Sequence, residues 1–76
     1  MNVIDPRGMT VMEWTDRMIP LLIEYGNIGK LDKPSNWQEW ARSVILINQQ
    51  WQNSVPNPYQ FKDWLEWAER FLQVIT

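Results

Sequence analysis

Six of the 76 residues are tryptophan, at positions 14, 37, 40, 51, 64 and 67, and this density constrains the fold more than any other feature of the chain. A buried indole removes about 150–250 Å² from water, so six together can bury roughly 900–1,500 Å². At ~25 cal/mol per Å² that is about 20–40 kcal/mol gross, before conformational entropy is subtracted. A chain of this length forms one small domain and has little core volume to spare. Tryptophan supplies the missing core, and it equally supplies anchors at an interface.

The spacing around these residues is helical. Trp37, Trp40, Val44, Ile47 and Trp51 fall on one stripe at steps of three and four, as do Phe61, Trp64, Leu65, Ala68, Leu72 and Ile75. Val11, Trp14, Met18, Leu21, Leu22 and Tyr25 form a third apolar face, interrupted by Pro20. Start signals precede each stripe: Thr10 with Glu13 and Ser35 with Gln38 fit capping boxes, and Asn57-Pro58 pairs an N-cap with proline at the first helical position. Gly26, Asn27 and Gly29 end the first segment, and residues 53–56 separate the other two. These signals predict an all-α fold: a small three-helix bundle over residues 10–76, with helices at about 11–25, 36–52 and 58–74. Pro20 is expected to kink or split the first helix. Residues 1–9 precede the first start signal and are predicted to form an extended N-terminal arm.

A phrase recurs along the chain. Glu13-Trp14, Glu39-Trp40 and Glu66-Trp67 stand 26 and then 27 residues apart, and in each an arginine follows the glutamate by three or four residues (Arg17, Arg42, Arg70). That spacing allows a pair across one helical turn, worth about 0.2–0.5 kcal/mol, while the adjacent tryptophan turns toward the bundle. The echo reads either as three short units sharing one core or as coincidence in a Trp-rich helical chain.

Several function classes are excluded by what the chain lacks. It has no Cys and no His, hence no thiolate nucleophile, no imidazole base and no Cys- or His-ligated metal. Carboxylate pairs at helical spacing (Glu13 with Asp16, Asp63 with Glu66, Glu66 with Glu69) each have an Arg or Lys nearby, the pattern of a solvated helix face. No calcium loop and no Gly-rich phosphate loop is present, and no catalytic, cofactor or metal residue is predicted. The longest apolar run is far short of a membrane span, and the N-terminus does not read as a signal peptide. Seven basic residues, spread singly against nine acidic ones, do not make a phosphate-binding surface.

What remains is protein interaction. Trp37, Trp40 and Trp64 lie on the apolar stripes and are predicted core. Trp14, Trp51 and Trp67 sit nearer the stripe edges, where core and interface roles are equally open. With Val3, Ile4, Arg7 and Met9 of the arm they form the candidate partner-binding set.

The order of phrases also carries a resemblance. Asp5-Pro6-Arg7-Gly8-Met9-Thr10 leading into Glu13-Trp14 is followed by Asn36-Trp37-Gln38-Glu39-Trp40-Ala41. Pro56-Asn57-Pro58 with Phe61, Asp63-Trp64 and Glu66-Trp67-Ala68-Glu69-Arg70-Phe71 completes the series. Over nearly the whole chain this resembles short proteins encoded by tailed bacteriophages and prophages. The resemblance implies a phage origin and a place among virion structural proteins, assembled in the host cytoplasm, and it carries over no functional residue. The expected partner is a larger capsid or tail protein, with further copies of the chain itself as another, and no nucleic acid, membrane or small molecule. Two other readings are a phage inhibitor of a host protein and a small DNA-binding regulator.

Overall fold

The computed structural model describes residues 5–75, and among them every regular element is helical. Four α-helices, α1 (Val11–Leu22), α2 (Trp37–Leu46), α3 (Gln49–Ser54) and α4 (Trp64–Ile75), are joined with two 3₁₀ turns, Pro34–Asn36 and Pro58–Gln60. The all-α bundle is as predicted, with four helices where the stripes suggested three.

The extra helix follows from side-chain chemistry that the apolar stripe ignores. The predicted 36–52 segment breaks after Ile47, because Asn48 leaves helical geometry and its side-chain oxygen accepts the Gln50 amide at 3.0 Å. An asparagine in mid-stripe thus acts as an N-cap and starts a second, shorter helix. The same device shortens the last segment. Asn57 caps only the 3₁₀ turn (Tyr59 amide to Asn57 Oδ1, 3.0 Å), and α4 starts at Trp64, where Asp63 accepts the Leu65 amide at 3.1 Å.

At the first helix the capping box forms in both directions: the Glu13 amide donates to Thr10 Oγ1 at 3.2 Å and the Thr10 amide to Glu13 Oε1 at 3.1 Å. Hydrogen bonding from Thr10 holds the Glu13 carboxyl below its ordinary value of 4.5. A carboxyl with a depressed folded pKa stabilises the fold above its unfolded value, and that contribution disappears as pH falls through the folded value. Melting temperature measured from neutral pH to below the ordinary carboxylate range should therefore fall less steeply in Glu13→Gln, which keeps the box but cannot titrate. Parallel curves for the two proteins would remove Glu13 from the acid response.

The helix passes through Pro20 without dividing and ends at Leu22, followed by a turn through Tyr25, whose amide donates to the Leu22 carbonyl at 2.9 Å. Pro20 is exposed near the end of the helix, where it removes only the amide donor that the Asp16 carbonyl would otherwise have. The predicted box at Ser35 does not form. Asn36 holds the N-cap position without a side-chain capping bond, and Gln38 instead donates to the Pro58 and Phe61 carbonyls at 3.3 and 2.8 Å, tying α2 to the second 3₁₀ turn.

The core is organised around Trp14. Its ring meets Trp40 edge-on at 5.9 Å, Trp67 edge-on at 6.4 Å and Trp64 at 5.8 Å, while Trp67 stacks on Phe71 at 5.0 Å and 11°. Such geometries place the positive ring edge against a neighbouring face or offset the two rings, and each adds about 0.5–1.5 kcal/mol beyond area burial.

The echo has geometric content. α2 and α4 superpose residue for residue in burial: Trp37 and Trp64 half-buried, then Trp40-Ala41 and Trp67-Ala68 buried, then Val44-Ile45 and Phe71-Leu72 buried. In α1 the same places hold Trp14, Thr15 and Met18, all buried. A small buried residue follows each tryptophan, so the bulk on these inward faces comes from the indoles. Thr15 is the polar member, and its hydroxyl donates to the Met12 carbonyl at 3.1 Å.

Two indoles also hold loops. Trp40 Nε1 donates to the Gly29 carbonyl and Trp67 Nε1 to the Pro56 carbonyl, each at 2.9 Å and each across eleven residues. The glutamate–arginine pairs expected beside them do not close: among the described residues the ion pair formed is Arg7 with Asp5, at 3.1 Å.

Candidate functional site

The structure redistributes the predicted partner-binding set. Val3 and Ile4 lie outside the described residues. Trp14, Trp51 and Trp67 are only 1%, 6% and 1% exposed, so they are core residues and offer no surface to a partner. For Trp51 and Trp67 the helix boundaries differ from those predicted, whereas Trp14 lies in a helix that starts where predicted and is buried by the rings of Trp40, Trp64 and Trp67. With α3 separated from α2, Trp51 swings in to meet Phe71 at 5.3 Å, and the Glu-Trp phrases, not the longer stripes, define the inward direction. Trp37 and Trp64, predicted as core, are the half-buried pair, while Trp40 is buried as predicted.

The described part of the predicted arm is a folded turn. The Met9 amide donates to the Pro6 carbonyl at 3.2 Å, and Gly8 takes φ +86°, the left-handed conformation that the third position of such a turn demands. Pro6 is buried and Met9 half-buried against the core. Arg7 stays exposed, and its guanidinium and backbone amide both bond to Asp5, whose carboxyl they hold below the usual range. Asp5, Pro6 and Arg7 line a cleft of about 340 Å³ with Glu69, Leu72 and Gln73 of α4. A second open cleft, of about 300 Å³, lies between the 29–32 loop and α2. Its polar groups bond locally: Asn36 donates to Asp32 and the Ser43 hydroxyl to the Glu39 carbonyl, each at 3.1 Å. Among the described residues no group of three Asp or Glu side chains converges as a metal site would require, and no helix is long and apolar enough to cross a membrane.

The surface that stands out was not in the predicted set. Leu21, Ile23 and Tyr25 at the end of α1 are 49%, 62% and 51% exposed, and Leu46 at the end of α2 is 54% exposed. Packing brings these two helix ends together. A Cβ on Gly26 would lie 3.2 Å from Cβ and Cγ2 of Ile47, and the Tyr25 ring lies 4.9 Å from that of Trp51. α3, which carries Trp51, thereby adjoins the same end and exposes Gln49, Gln50, Gln52 and Asn53.

Charge is sparse in the sequence around these residues. Residues 43–61 contain no Asp, Glu, Lys or Arg, and residues 18–29 contain only Glu24. Arg17 and Arg42 stand one turn back, four residues before Leu21 and Leu46 respectively. The uncharged stretch is visible in the sequence and is the signal that could have located this surface. Large half-exposed apolar side chains with few charges among them are the composition of an interface centre. No protein-family model, curated protein or solved structure matches the chain.

Proposed function

We propose that this chain is a non-enzymatic structural protein of a phage particle, held in place by burying its uncharged apolar end against a neighbouring subunit of the capsid or tail. The observation that carries this reading is the half-exposure of Leu21, Ile23, Tyr25 and Leu46 at one end with Glu24 the single charge among them. The phrase pattern that resembles short phage proteins supports the setting. Full burial of a Leu or Ile side chain contributes about 1.5–3 kcal/mol, so the exposed half of each residue leaves roughly 1 kcal/mol to be gained. Four such residues make a weak contact alone, and a useful one when many copies are held on one assembly.

The test is incorporation. Mass spectrometry of purified particles of the encoding phage should find the chain at stoichiometric copy number, and Tyr25→Lys should lower that number severalfold while leaving the helical circular dichroism unchanged. Particles that lack the wild-type chain would overturn the assignment.

A further inference from the structure

We draw no further inference here: the strongest candidate, the half-exposed apolar face of Leu21, Ile23, Tyr25 and Leu46 at the ends of α1 and α2, belongs to the docking surface already described, and nothing in the structure shows what covers it.

Discussion

Trp14→Ala is expected to lower the stability of the domain by about 3–5 kcal/mol, the cost of emptying a large aromatic site in a core that cannot collapse to fill it. Trp14 is 1% exposed and its ring touches those of Trp40, Trp64 and Trp67, so the substitution removes three aromatic contacts together with the buried area. A globular chain of this length has roughly 4–11 kcal/mol in total, so the variant should be marginal or unfolded at room temperature. Urea unfolding followed by far-ultraviolet circular dichroism measures the loss. Trp64→Ala is the control. That ring is half-buried and contacts Trp14 from the side, so its loss should cost clearly less. Equal losses would mean that Trp14 does not organise the core.

The second large effect concerns Trp67, where the ring does two separable jobs. It stacks on Phe71, and its N–H donates to the Pro56 carbonyl at 2.9 Å. Trp67→Ala removes both and should again cost about 3–5 kcal/mol. Trp67→Phe keeps an aromatic ring against Phe71 and leaves a part-buried carbonyl without its donor, a loss of about 1–3 kcal/mol. Proteolysis within the 53–57 connection should rise in the phenylalanine variant, because the bond that holds Pro56 is gone. A phenylalanine variant as unstable as the alanine one would assign the whole effect to packing and none to the hydrogen bond.

These two residues show how much of the fold was legible in the sequence. The helical class, the Thr10–Glu13 cap and the inward turn of the tryptophan in each Glu-Trp phrase could be read, because each is a local pattern repeated or reinforced by a neighbour; the glutamate–arginine pairs read from the same phrases do not form. The helix breaks could not be read from apolar spacing, since Asn48 and Asp63 act through one hydrogen bond each, invisible to a periodicity of three and four. That error propagated to the site. A stripe drawn through Asn48 puts Trp51 at an edge, whereas the break lets it turn inward under Tyr25. Leu21 was lost for a related reason: its spacing suits the buried face of the first helix, and only the tertiary arrangement decides which side of a short helix finds a neighbour. Leu46 lies off the stripe drawn through Val44 and Ile47, and no local pattern singled it out. The uncharged run from Ser43 to Phe61 was a plainer guide to the exposed end than any tryptophan.

The paired indole-to-carbonyl bonds act as a ruler on the chain. Gly29 to Trp40 and Pro56 to Trp67 are fixed at the same separation, and each interval ends in a helix whose ring must arrive at one azimuth. One residue more or fewer inside the helical part rotates the indole by about 100° and withdraws the donor from its loop. Drift in these intervals can therefore change identity but not length, and the tolerated place for added or deleted residues lies elsewhere in the chain.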